Sequence, residues 1–291
     1  MNKYNTKLLN KTLNLINKYG IDKYKNNINK IDEYCQKYLS LDTNKFMNKL
    51  NYAIQEYYSG HTFIYSSSED NVSYEISPNK IPDIKYKKLY GYIKIHPFLS
   101  VDNKSEEKKV IDIVKKFIKK CKLDNLNIII DLTDNFGGNF YPMLLGFKDL
   151  FINKKRHVSY MFSFMHNNPK TNFYIGDKQK IKYTNNFAIN NTYDDLLFDN
   201  KIAVIVNKKT ASSAEIVAMI FQNRMNVKIF GEKTAGFLTS NIDINIDKDY
   251  SIALTYGILK NHRQIIMHNE NIEPDVITQN PLKEIKKYFS K

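Results

Sequence analysis

Lys201-Ile-Ala-Val-Ile-Val-Asn-Lys-Lys-Thr-Ala-Ser-Ser-Ala-Glu-Ile-Val217 is the stretch on which the fold turns. Ile202 to Val206 is a short, unbroken apolar run rich in β-branched residues, the pattern of a strand buried on both faces. Small hydroxyl residues follow at once, and a helix is expected from Ser213 to Asn223. A strand that turns directly into a helix is one step of an α/β unit. The turn is also where a serine nucleophile would sit, because the first N–H groups of a helix are unpaired and carry the positive end of its dipole. The same string has a second reading: Ser212-x-x-Glu215 has the spacing of a capping box.

Working outward, Asn127 to Leu132 is another β-branched run, and it leads into Thr133-Asp-Asn-Phe-Gly-Gly-Asn139. Gly137 and Gly138 let the backbone approach a ligand closely and can aim N–H groups at an anion. A tight strand-to-helix turn without a ligand is the plainer alternative. Strands are expected at Tyr92 to Ile95 and Val227 to Phe230, and helices near Lys104 to Lys120 and Tyr141 to Phe151. Arg156 to Phe164, Asn172 to Ile175 and Tyr250 to Leu259 read as further strands or hairpins. The alternation from Tyr90 onward argues an α/β core. Before it, apolar residues recur at three- and four-residue steps between Lys7 and Tyr58. Gly20-Ile-Asp and Leu41-Asp-Thr divide that segment into about three helices.

With these landmarks in order, the chain resembles peptidase family S41, which holds the C-terminal processing (tail-specific) proteases and the tricorn-like proteases. Gly91-Tyr-Ile-Lys-Ile95 is similar to the opening strand of that family. Asp131 to Gly138 is similar to its Asp-Leu-Arg-x-Asn-x-Gly-Gly turn, and Thr210 to Glu215 to its Thr-Ala-Ser-Ala-Ala-Glu elbow. Gly231-Glu-Lys-Thr-Ala-Gly236 and Glu270-Asn-Ile-Glu-Pro-Asp275 resemble its closing motifs. The resemblance runs from about Ser59 to Ile277. It implies a ClpP/crotonase-like α/β core at 90–291, an N-terminal helical subdomain at 1–62, and a connecting segment at 63–89. A PDZ domain, of roughly 80 to 100 residues, does not fit in the 29 residues from Thr62 to Tyr90.

The resemblance places the nucleophile at Ser212 and oxyanion donors at Gly137, Gly138 and the backbone N–H of Ser213. The base lysine of the processing branch falls on Phe237, so that base is absent; Lys233 is a displaced candidate. The tricorn-like branch uses a Ser-His pair with a supporting serine and glutamate, and Ser59-Gly-His-Thr62 resembles its histidine motif. His61 is therefore the expected base, with Glu270 assisting. An imidazole can take the serine proton near neutral pH, whereas a lysine must first be desolvated. Gly60 stands where those enzymes carry the supporting serine, so Ser59 or Thr62 is left to orient the ring. His96, at a strand end before Pro97, is the rival base.

The implied activity is that of a serine endopeptidase cleaving peptides or unfolded protein segments through an acyl-enzyme. A peptide-binding module without turnover and a small-ester or amide hydrolase are the alternatives. Substrate selection would come from the cleft, with Arg156 to Phe164 as an edge strand for an extended peptide.

Composition sets outer bounds. The 291 residues, 42% of them hydrophobic and including 21 Tyr and 17 Phe, suit a globular protein with a sizeable core. No apolar run approaches the roughly 18 residues of a membrane span, and the polar start lacks a secretory h-region. Cys35 and Cys121 are too few for a disulfide framework, which points to a reduced, cytoplasmic setting. His157, His166, His262 and His268 lack metal-ligand spacing, so neither a metal nor another cofactor is expected. The net charge of +14 is spread along the chain without an Arg-aromatic cluster, which argues against specific nucleic-acid binding.

Overall fold

The computed structural model describes residues 2–66, 80–99, 103–151, 161–165, 171–175, 181–184, 198–260 and 271–290. Four helices come first: α1 (Lys3–Tyr19), α2 (Asp22–Lys25), α3 (Ile28–Gln36) and α4 (Thr43–Tyr57). β1 (Phe63–Ser66), β2 (Asp83–Tyr86) and β3 (Tyr90–Lys94) follow, then α5 (Lys104–Leu123), β4 (Asn127–Asp131) and α6 (Phe140–Gly146). Next are β5 (Met161–Met165), β6 (Thr171–Ile175), β7 (Ile181–Thr184), β8 (Ile202–Val206), α7 (Ser213–Phe221) and β9 (Val227–Gly231). β10 (Thr239–Asn245), β11 (Tyr250–Lys260), β12 (Val276–Ile277) and α8 (Pro281–Ser290) complete the chain.

Two compact units result. The first comprises Met1–Glu75, Phe164–Lys170 and Thr239–Leu259. Its helices begin at side-chain caps: Asn2 accepts from the N–H groups of Tyr4 and Asn5, and Asp42 from those of Asn44 and Lys45. Leu8, Leu9 and Ile16 of α1 and Phe46, Leu50, Ala53 and Ile54 of α4 form one apolar cluster with Ile31 and Cys35. Ile246, Ile252 and Leu254 close it. Each leucine, isoleucine or phenylalanine among them, fully buried, contributes about 1.5–3 kcal/mol. β11 pairs antiparallel with both β1 and β10, with Phe63 opposite Ala253 and Asp243 opposite the same residue from the other side. Tyr58 fastens helices to strands: its hydroxyl donates to the Thr255 carbonyl and accepts from Ile21 N–H.

The second unit comprises Ile76–Ser163, Thr171–Leu238 and Lys260–Lys291. Its sheet runs β12-β9-β8-β4-β3-β2. The first five strands are parallel, and β2 is antiparallel to β3. β8 is buried at all five positions, as its unbroken apolar run predicts. α5 lies on one face, where Gly91 leaves room: a Cβ there would stand 2.4 Å from Cys121 Sγ and 2.8 Å from the Phe117 ring. Phe221 of α7 meets Phe147 and Phe151, each at a centroid distance of 5.4 Å. On the opposite face, Ile285 of α8 packs with Ile129, Ala203, Ile205 and Phe230. β6 and β7 form an antiparallel pair.

The expected α/β core with a helical N-terminal region is thus present. The first helix starts earlier than its apolar pattern, at Lys3, and α2 adds a short turn between the first two long helices. Within Arg156 to Phe164, 156–160 lie outside the described residues and the strand there is Met161–Met165.

Candidate active site

The adjacent parallel strands β4 and β8 deliver two loops to the same sheet edge, the carboxyl end where open α/β sheets bind ligands. The loop after β8 is anchored by Thr210. Its hydroxyl, fully buried, donates to the Leu132 carbonyl at 2.9 Å and accepts from Asn207 N–H at 3.0 Å. Ala211 N–H then donates to the Asn135 carbonyl, and Ala235 N–H to that of Thr210. So held, the next residue has nowhere ordinary to go: Ser212 adopts φ 52°, ψ −119° and α7 begins directly after it. L residues rarely adopt that combination, and it costs about 1–3 kcal/mol wherever the surroundings impose it.

Glu215 sustains the turn from beneath. Its fully buried carboxylate accepts from Ser212 N–H at 2.8 Å, Gly236 N–H at 2.9 Å, Phe237 N–H at 2.8 Å and the Thr234 hydroxyl. Burial raises its pKa, and the four donors oppose that rise. The Ser212-to-Glu215 spacing therefore yields a cap bond as expected. What the string does not disclose is that the same carboxylate fastens 234–237. Phe237, the position expected from the resemblance to match the processing branch's lysine, contributes its backbone to this clamp.

The two glycines divide their tasks. Gly137 does not offer its N–H to a ligand, contrary to expectation, because Asn135 Oδ1 already accepts it at 2.9 Å. Asn135 is fully buried and its own Nδ2 donates to the Ile95 carbonyl at 3.0 Å, so this turn is fixed. The place of Gly137 is instead steric: at φ 107°, a Cβ would stand 2.9 Å from Ser212 Cβ and 3.1 Å from Ser213 N. Gly138, at φ 106°, lies against Phe98, and its carbonyl accepts from the Ser213 hydroxyl. Among the described residues no acceptor takes the N–H of Gly138 or of Ser213. Asp131 and Asp134 serve the turn: Asp131 Oδ1 accepts from Thr133 N–H at 2.8 Å, and Asp134 is bonded to Asn207.

The rival bases in this unit are engaged. His96 Nε2 meets Asp83 Oδ2 at 2.9 Å, and Lys233 Nζ forms an exposed ion pair with Glu273 at 2.7 Å. Glu270 lies outside the described residues, as do His157, His166, His262 and His268.

His61 belongs to the first unit, just after α4. Its Nδ1 is 2.6 Å from the Thr239 hydroxyl, its N–H donates to Ser59 Oγ at 3.3 Å, and its carbonyl accepts from Asn241 Nδ2 at 2.6 Å. Among the described residues the hydroxyls of Ser59 and Thr62 are bonded to Thr255: the Ser59 hydroxyl pairs with its hydroxyl, and the Thr62 hydroxyl accepts its N–H. Thr239 meets the ring instead, from the first position of β10, and sequence reasoning missed it. Either atom of the Nδ1–Thr239 pair can donate; the tautomer that carries its proton on Nδ1 makes Nε2 the basic nitrogen. Burial lowers the imidazole pKa to about 4, so the ring is neutral at physiological pH.

Among the described residues no group of three His, Cys, Asp or Glu could hold a metal ion, and no helix is long and apolar enough to cross a membrane.

The model of peptidase family S41 matches residues 89–278. A nisin-resistance protein from Lactococcus lactis subsp. lactis is 27% identical over 159 residues, covering 53% of this chain. The match spans 46% of that relative's length. A lipoprotein from Streptococcus agalactiae shares the fold with a TM-score of 0.73 at 22% identity, covering 98% of this chain and 96% of that one. A structure described as a candidate peptidase from Parabacteroides merdae does so with a TM-score of 0.61 at 15% identity, covering 98% and 92%.

Proposed function

The chain belongs to peptidase family S41, and we propose that it is a serine endopeptidase acting through an acyl-enzyme. The observation that carries this reading is the backbone of Ser212. A residue held at φ 52°, ψ −119° between a buried strand and a helix is a strained elbow, the backbone that a nucleophile at such a turn requires. A cap needs no such strain. The N–H groups of Gly138 and Ser213, which no acceptor takes among the described residues, flank it and suit an oxyanion.

In this reading Ser212 Oγ attacks the scissile carbonyl and His61 Nε2 takes its proton, with Thr239 fixing the tautomer through Nδ1. The tetrahedral oxyanion is held by Gly138 and Ser213. The imidazolium returns the proton to the leaving amine, and water then releases the acyl group by the same steps. Glu270 is proposed to assist. The low pKa of His61 keeps the base unprotonated. Substrates are peptides or unfolded segments, and the relative's name makes nisin the first peptide to include.

The test is mass spectrometry of a peptide library, nisin included, incubated with the parent protein, Ser212→Ala, His61→Ala and His96→Ala. Products formed by the parent and His96→Ala, and lost in the other two, support the assignment. Cleavage that survives Ser212→Ala refutes it, and binding without cleavage by the parent points to a module that has lost turnover.

A further inference from the structure

We propose that Phe136 sets the specificity of the elbow, receiving a bulky apolar side chain that stands beside the bond attacked by Ser212. The inference rests on the peptidase reading of that site and names the class of residue it prefers there. Phe136 is 55% exposed, although it lies in a turn whose backbone is fixed on both sides. Asn135 N–H donates to the Leu132 carbonyl, the Asn135 carbonyl accepts from Ala211 N–H, and the Gly137 carbonyl accepts from Phe98 N–H. Asn135 and Gly137 thus close the turn between them, and the side chain at 136 is not needed for it. A phenylalanine there leaves over half of its surface in water, against the strong tendency of that residue type to be inside.

Its place gives the ring a use. Position 137 abuts the serine, since a Cβ built there would stand 2.9 Å from Ser212 Cβ and 3.0 Å from the Ala211 carbonyl oxygen. Phe136 is therefore one residue from contact with the nucleophile, and Ser212 is itself partly exposed. Leu123 and Met225 are exposed too, but they precede β4 and β9, at the amino ends of the strands, whereas Phe136 follows β4 at the carboxyl end. A second aromatic residue comes from another loop: Phe237 N–H shares the Glu215 carboxylate with Ser212 N–H, each at 2.8 Å, and Phe237 is half-buried. Two lysines of the same loops are paired, Lys209 lying 3.7 Å from Asp134 and Lys233 2.7 Å from Glu273. An aromatic face also attracts cations, but a chain of net charge +14 repels them. The side chain best suited to Phe136 is therefore apolar rather than basic.

The chain contains no tryptophan, so Phe136→Trp installs a single indole at the position in question. In a protein that also carries Ser212→Ala, its emission would be followed against two mixtures of end-blocked heptapeptides, one with leucine or phenylalanine fixed at the centre and one with aspartate or glutamate. The apolar mixture should shift the emission to the blue and bind at least about tenfold more tightly than the acidic one. Turnover is read separately with Ser212 in place. Phe136→Ala should lower the ratio of kcat/KM for cleavage beside an apolar residue over cleavage beside an acidic one about tenfold, and Phe136→Lys should invert the preference. Both variants keep the backbone bonds of the turn, so their thermal melts should match the parent's. A blue shift with the apolar mixture but no cleavage by the parent would uphold the subsite and refute the peptidase reading. Cleavage with a ratio unchanged in both variants, as for a merely structural Phe136, would overturn the inference and leave that reading in place. No shift with either mixture, or an equal one with both, would overturn the inference as well.

Discussion

Replacing Ser212 by glycine should make the protein more stable than replacing it by alanine, the reverse of the order inside a helix. Both variants lack the hydroxyl, so contacts of Oγ cancel between them. What differs is the Cβ, which at φ 52°, ψ −119° carries strain of about 1–3 kcal/mol. Glycine relieves that strain and forfeits about 0.5–1 kcal/mol through the greater freedom of its unfolded chain. The balance favours Ser212→Gly by about 1 kcal/mol, or about 2–4 °C in Tm for a chain of this size class. An ordinary cap with extended backbone also ranks glycine above alanine, since the cap exchange to alanine costs about 0.5–2 kcal/mol and that to glycine a few tenths, so the sign by itself does not separate elbow from cap. Paired denaturant titrations at one pH and ionic strength measure the difference, and an alanine variant equal to or more stable than the glycine one refutes the strained elbow. Neither variant should cleave peptide, so stability and activity part at this residue.

Thr239→Val should lower kcat about 10- to 100-fold with little change in KM, since it frees the ring at Nδ1 but leaves binding groups alone; Thr239→Ser should recover most of it, and a wide shift in KM would count against an orienting role. Because burial holds His61 at about pKa 4, kcat/KM should stay level as pH falls from 7 to about 5.5 rather than drop at 6.5. The same shift makes the unfolded state bind the proton first, so stability should decline as pH falls from 6.5 towards 4, and His61→Asn should remove that share of the decline. Gly137→Ala should cost about 2–4 kcal/mol of stability, combining a positive φ with a Cβ 2.9 Å from that of Ser212. Its activity should fall at least about 100-fold, and a near-normal melt would show that the turn relaxes freely.

What could be read from sequence is what is local. β4 and β8 announce themselves because a strand buried on both faces must be apolar at every position, and α1, α3 and α4 because one face of each is buried. β2 gives no such signal: three of its four residues are exposed, it stands at the sheet edge, and Asp83 and Lys85 look like loop. α8 is hard to read although Ile285, Tyr288 and Phe289 stand at helical spacing, because Lys283, Lys286 and Lys287 between them make its ten residues look like a polar tail. β10 alternates poorly, since Thr239 and Ser240 are buried while Asn241 turns its amide to the His61 carbonyl.

The site divides along the same line. Ser212 and the glycine pair were legible because strain and close approach restrict residue type at fixed short spacing. Thr239 stands 178 positions from the histidine it orients, and a threonine opening a strand is unremarkable by composition, so nothing local could select it over Ser59 or Thr62. Glu215 was visible only in its bond to Ser212, three residues away. Its three other donors arrive from 234–237 through the tertiary fold. A carboxylate with four donors is a joint between two loops, not merely a helix cap, and Phe237 serves it with its backbone N–H, which every residue but proline possesses, so the side chain at 237 is free to vary without loss of the turn.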